Sequence, residues 1–124
     1  MTRILVVEDD ADVRYVLSDA LQDAGYVVAT AIDGLDALDQ LEEHPPDAIL
    51  LDLMMPSMHG WQFLETCQKD ERWSHIPVGL MSAAPLLRHT ADAWGVQVAI
   101  GKPFALDDLI AQVENLLDPL RAAG

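Results

Sequence analysis

Basic residues are scarce. Seven Lys and Arg stand against 21 Asp and Glu, for a formal net charge of −14 at pH 7. That imbalance excludes a domain that itself grips a nucleic-acid backbone, because phosphates are held by clustered Lys and Arg. Cysteine is nearly absent: Cys67 stands alone and cannot form an internal disulfide. A lone thiol on an expected helix suits a reducing compartment and reads as a packing residue. No apolar run approaches the roughly 20 residues of a membrane span, and the opening "MTRILVVEDD" lacks the order of a signal peptide. A cytoplasmic chain with no membrane partner is expected. Internal repeats, low-complexity segments and Ser/Gly-rich linkers are missing too, so residues 1–124 are expected to form a single domain.

What is present is apolar and regularly interrupted. Hydrophobic residues make up 51% of the chain, enough for a domain of this size to bury about two thirds of its unfolded surface. The runs "ILVV" (4–7), "YVVATA" (26–31), "AILL" (48–51), "VGLM" (78–81) and "VAI" (98–100) are strand candidates whose apolarity is continuous rather than alternating. Continuous apolarity means burial on both faces, as in a parallel sheet covered by helices. The segments between them carry helical period. Val13, Val16, Leu17, Ala20, Leu21 and Ala24 follow the i, i+3, i+4, i+7 rule and stop at Gly25. A second stripe, Leu106, Leu109, Ile110, Val113, Leu116, Leu117 and Leu120, closes the chain. Asp33 is placed to cap a helix to about Glu43, Gly60 to open one to about Glu71, and Pro85 to open one ended by Gly95. Five strands alternating with five helices give, through right-handed crossovers, a doubly wound α/β fold whose ligands bind outside the carboxyl ends of the strands.

Those ends carry the chemistry. The first strand runs into Glu8, Asp9 and Asp10, the third into Asp52, the fourth into Ser82, and the fifth stops just before Lys102-Pro103. The fold would gather carboxylates, a hydroxyl and an ammonium into one pocket. Clustered carboxylates repel and are tolerated chiefly around a cation. Oxygen donors without His or Cys favour Mg²⁺ over Zn²⁺. Asp10 and Asp12 have a simpler explanation, since acids that open a helix cap it and suit its dipole. Asp52 does not, because it follows a buried apolar run with no intervening loop. The first strand leads into "VEDDADV" and not a glycine-rich turn, which excludes a dinucleotide-binding motif.

Taken together, "LVVEDD", "LLDLMMPSMHG", "LMSA" and "GKPF" resemble, in order and spacing, the receiver domain of bacterial two-component and phosphorelay response regulators. The match spans the whole chain. The resemblance implies a flavodoxin-like five-stranded parallel sheet of order 2-1-3-4-5 flanked by five helices. It makes Asp52 the phosphoacceptor, taking a phosphoryl group from a phosphohistidine on a histidine kinase or histidine phosphotransfer protein. Mg²⁺ would be ligated by Asp9, Asp52 and the backbone carbonyl of Met54, with Glu8 acting through a metal-bound water. Lys102 and Ser82 would meet the phosphoryl oxygens, and the Lys102-Pro103 bond would be cis. Such a domain is a phosphoacceptor that switches a downstream output protein or domain, not a turnover enzyme.

Several positions depart from the family's pattern. Ala99 stands where most receivers carry Tyr or Phe as a rotamer switch, and the segment from Ser82 to Lys102 is slightly short, which implies a clipped fourth helix. Met54 and Ala84 fall two residues beyond Asp52 and Ser82, positions that influence hydrolysis of the acyl phosphate. Neither side chain can hydrogen-bond an attacking water, so slow self-dephosphorylation is expected. His59 reads as a surface-loop residue, and Trp61 and Trp94 as anchors at helix ends. Two other readings remain. One is a pseudo-receiver that works by docking alone, left open by Ala99 and opposed by the intact set of Glu8, Asp9, Asp52, Ser82 and Lys102. The other is a small aspartyl-phosphate phosphohydrolase, disfavoured because Met54 occupies the usual place of its second aspartate.

Overall fold

The computed structural model describes residues 2–52, 60–82, 98–101 and 105–123. Among them the chain runs β1 (Arg3–Val7), α1 (Ala11–Asp23), β2 (Val27–Ala31), α2 (Gly34–Glu43), β3 (Ala48–Asp52), α3 (Gly60–Lys69), β4 (Val78–Ser82), β5 (Val98–Gly101) and α4 (Leu106–Ala123). All neighbouring strands pair in parallel, in the order β2-β1-β3-β4-β5. This is the expected order. The helix expected from Pro85 to Gly95, and with it Trp94, lies outside the described residues.

Alternation along each strand splits the core into two layers. Leu5, Val7, Ile49, Leu51 and Leu80 face α2 and α3, where they meet Ala37, Leu41, Phe63, Leu64 and Cys67. Ile4, Val6, Ala48, Leu50, Met81 and Ile100 face the other way and meet Leu17 and Leu21 of α1 and Leu109, Val113, Leu116 and Leu117 of α4. Every residue of β3 is buried. Covering both faces is what allows its apolar run to be unbroken. The Cys67 thiol is buried, and loss of solvation, followed by the nearby negative charge of Asp70, pushes it up to about 12. It is a packing residue.

Local chemistry sets the helix ends. Asp10 caps α1, its carboxylate accepting from the Asp12 and Val13 amides. At the other end the Gly25 amide donates to Gln22 and the Tyr26 amide to Leu21, the paired bonds of a Schellman motif. Gly25 supplies the positive φ of 99° that the motif needs. Because the Tyr26 amide is spent on the helix, β2 starts at Val27 and not at Tyr26. Asp33 caps α2 through the Asp36 amide, and the Asp36 carboxylate reaches back to the Ile32 amide.

Helix α3 ends at Lys69, two residues short of the expected stop near Glu71. The cause is Asp70, whose carboxylate accepts from the Arg72 amide and from the Arg72 guanidinium and so draws the chain into a turn. That turn carries Trp73 and Ile76 into the α2/α3 layer of the core.

Candidate metal centre at the strand ends

In a parallel sheet all carboxyl ends share one edge, and here register brings two of them level. Val7 pairs with Leu51, so the next residues, Glu8 and Asp52, continue the two central strands side by side. Parity places both on the side of Ile4, Val6, Ala48 and Leu50. Glu8 is 1% exposed and Asp52 5%, the buried charged side chains among the described residues. Asp9 is exposed. One carboxylate oxygen from each of Glu8, Asp9 and Asp52 lies within 4.8 Å of the other two.

Three carboxylates this close, two of them out of water, repel one another strongly unless a cation lies among them. The donor set is oxygen only, with neither His nor Cys, and it leaves ligand positions for water. That chemistry fits Mg²⁺. Among the described residues the three acids form a group able to hold a metal ion.

The turn that carries Glu8 and Asp9 is fixed at several points. The Glu8 amide continues the sheet by donating to the Ala31 carbonyl at 3.1 Å. The Arg14 Nη1 donates to the Glu8 carbonyl at 2.8 Å and to the Asp9 carbonyl at 3.3 Å. Asp10, next in line, spends its carboxylate on the α1 cap. Adjacent acids in "EDD" therefore divide their work: Glu8 and Asp9 turn to the cluster, Asp10 to the helix.

The other expected site residues are placed in part. Ser82 ends β4, one residue beyond Met81, which pairs with Asp52, and is itself in register with Gly101 at the end of β5. Ala99 sits within β5 opposite Leu80. Lys102, Pro103, Met54, Ala84 and His59 lie outside the described residues. Arg14 was not anticipated from sequence. The signal for it was a basic residue, rare in this chain, four positions after the capping Asp10, hence one helical turn from an acidic loop.

Comparison with known proteins agrees with this arrangement. The family described as "Response regulator receiver domain" matches residues 4–114. The chain is 37% identical over 124 residues to the sensor histidine kinase TmoS of Ectopseudomonas mendocina, covering 98% of this chain and 12% of that protein. It is 40% identical over 119 residues to the response regulator MprA of Mycobacterium sp. (strain KMS), covering 93% of this chain and 50% of that protein. The chain thus spans half or less of the length of these curated relatives. Among solved structures, the chemotaxis response regulator CheY4 of Vibrio cholerae superposes with a TM-score of 0.86 at 30% identity, over 94% of this chain and 99% of that one. The response regulator TrrA of Thermotoga maritima, in complex with Mg(2+)-BeF, superposes with a TM-score of 0.84 at 31% identity, over 94% of this chain and 100% of that one. The chain belongs to the response regulator receiver domain family, the signalling domain of histidine kinases and response regulators.

Proposed function

We propose, from that membership, that residues 1–124 form one cytoplasmic receiver domain that accepts a phosphoryl group on Asp52 and thereby switches the binding of an output protein or domain. The observation that carries this reading is the convergence of Glu8, Asp9 and Asp52 within 4.8 Å at the carboxyl edge of the sheet. A solvated acidic face would not hold two of its three carboxylates buried.

The donor is a phosphohistidine on a histidine kinase or phosphotransfer protein. An Asp52 carboxylate oxygen attacks phosphorus in line, the P–N bond breaks, the imidazole nitrogen leaves and takes up a proton, and an acyl phosphate remains. The rigid end of β3 fixes the nucleophile. Glu8 and Asp9, with Asp52 and the Met54 carbonyl, would hold Mg²⁺, Glu8 mainly through a water. When bound, that ion supplies charge neutralisation to the transferring phosphoryl oxygens. Lys102 pairs with those oxygens and Ser82 donates a hydrogen bond to one of them. The domain turns over only its own phosphate, so it acts as a switch rather than as an enzyme on an outside substrate. With its net charge of −14 it has no direct nucleic-acid role.

Intact mass tests this reading. Incubation with Mg²⁺ and acetyl phosphate is expected to add one phosphoryl group, and neither Asp52→Ala nor the chelated wild type is expected to gain it. Retention of the gain by Asp52→Ala would remove Asp52 from its role. A wild type that neither binds Mg²⁺ nor gains mass would instead support a pseudo-receiver. Slow self-dephosphorylation belongs to the same proposal: Met54 shields the acyl phosphate and cannot orient water, so Met54→Asn is expected to hasten phosphate loss. An unchanged or slower loss would count against shielding.

A further inference from the structure

We propose that Arg14 is a positioning residue for the metal centre, a role that rests on the reading of Glu8, Asp9 and Asp52 as Mg²⁺ ligands. Its guanidinium reaches the turn that carries Glu8 and Asp9, yet among the described residues it forms no ion pair within 4 Å with a carboxylate of the cluster. It spends Nη1 on two backbone carbonyls instead, those of Glu8 and Asp9. The contact is therefore with the backbone that carries Glu8 and Asp9 and not with their carboxylates.

This is the stretch where β1 leaves the sheet. Among the described residues the ladder between β1 and β3 runs to Val7 and Leu51, and the next two carbonyls after β1 are those of Glu8 and Asp9. Arg14 answers both from within the helix that Asp10 caps, so strand end, turn and helix start are closed into one unit. Fixing the Glu8 and Asp9 carbonyls fixes the orientation of both peptides, and with it the direction from which the Asp9 side chain leaves the backbone. An exposed Asp9 has no packing of its own to do this. The Arg14 side chain meanwhile lines an open cavity of about 300 Å³ with Tyr15, Ser18 and Thr30 rather than filling either core layer, so shortening it leaves the core residues in place.

Two physical effects predict opposite signs, which makes the role testable. A positive charge near a dication site weakens metal binding, so if Arg14 acted only through charge its removal would tighten Mg²⁺ binding. If it acts by holding the turn, its removal loosens binding, by the 10- to 100-fold or so found when partners that orient metal ligands are lost. Positioning is expected to win, because the hydrogen bonds are direct and the charge acts through solvent.

The experiment is titration calorimetry of the wild type, Arg14→Met and Arg14→Lys with MgCl₂ alone, well below each melting temperature. Amide hydrogen exchange at residues 8–10 is measured without metal. Arg14→Met is expected to bind Mg²⁺ about tenfold or more weakly, with faster exchange at residues 8–10 and unchanged exchange in β3. Arg14→Lys, which keeps a donor able to approach one carbonyl, is expected to fall between the two. Should Arg14→Met fail to fold, Arg14→Gln takes its place with the same expectation. Equal or tighter Mg²⁺ binding in the neutral variant, with the wild type binding normally, overturns the role of Arg14 alone. A wild type that binds no Mg²⁺ overturns both this role and the metal reading beneath it.

Discussion

Two clusters of charge sit at opposite edges of the sheet and obey different rules. At the amino edge, in the turn before β4, Arg72 donates to Asp70 at 2.8 Å and to Glu42 at 3.0 Å and lies over the Trp73 ring, 4.3 Å from its centroid. This group sets one cation between two carboxylates, is largely exposed, and joins the end of α2 to the turn after α3. Hydrogen bonds from Arg72 hold the Asp70 carboxyl below its ordinary value, and the bonds Arg72 donates to Asp70 and then to Glu42 push Arg72 up. At the carboxyl edge, Glu8, Asp9 and Asp52 share one sign, and two of the three are buried. The first cluster is finished as it stands. The second gathers like charges, two of them out of water, in a donor set able to hold a metal ion, and buried like-charged groups brought together are the mark of a site rather than of a brace.

Metal addition should separate the clusters most widely. Mg²⁺ at a hundred times its dissociation constant is expected to stabilise the wild type by about 2.7 kcal/mol, and Arg72→Ala by the same increment. Thermal melts of both proteins with and without Mg²⁺ check this. An increment that shrinks in Arg72→Ala would mean that the clusters are coupled.

A smaller effect concerns sign. Asp9→Asn removes one of three like charges, so without metal it is expected to raise stability by up to about 1 kcal/mol. In saturating Mg²⁺ the order reverses, because a ligand has been lost. Denaturant curves at both metal levels test this, and a variant less stable in both conditions would show that Asp9 does structural work.

Least in size are the responses of the amino-edge cluster. Arg72→Ala should melt slightly lower than the wild type, with the gap narrowing as salt rises from 0.1 to 1 M and the screening length falls from about 10 to about 3 Å. Asp70 has a lowered folded value, so its contribution is present above the ordinary carboxylate value of 3.8 and is lost as pH falls through the folded one. The wild-type advantage over Arg72→Ala should therefore fade in acid. An advantage that persists in acid and in 1 M salt would assign it to the stacking on Trp73.

The two edges also differ in how plainly the sequence announced them. Asp52 could be read because an apolar run ends on it, and Glu8 and Asp9 because they close another; period and position suffice for that. Strand order beyond simple alternation came from the family resemblance, and the structure bears it out. Arg72 escaped notice because the helical period runs on past its local partner Asp70 and its second partner, Glu42, is brought by tertiary approach, and Arg14 because its position after Asp10 does not reveal that it reaches backbone carbonyls. The short α3 escaped for a related reason: the helical period continues past Lys69, and only the hydrogen bonds of Asp70 show why the helix does not.

The register of β1 against β3 has a consequence for how the molecule comes to be built. Glu8 and Asp52 meet because Val7 lies opposite Leu51, and the two strands are joined only through α1, β2 and α2, so their pairing closes a long loop and forms slowly compared with local turns. A slip of one residue would turn the Asp52 carboxylate to the other face of the sheet. A cation held by Glu8, Asp9 and Asp52 would have its full site only once β1 and β3 are paired. It would reward only the correctly paired sheet and so act as a proofreader of strand register.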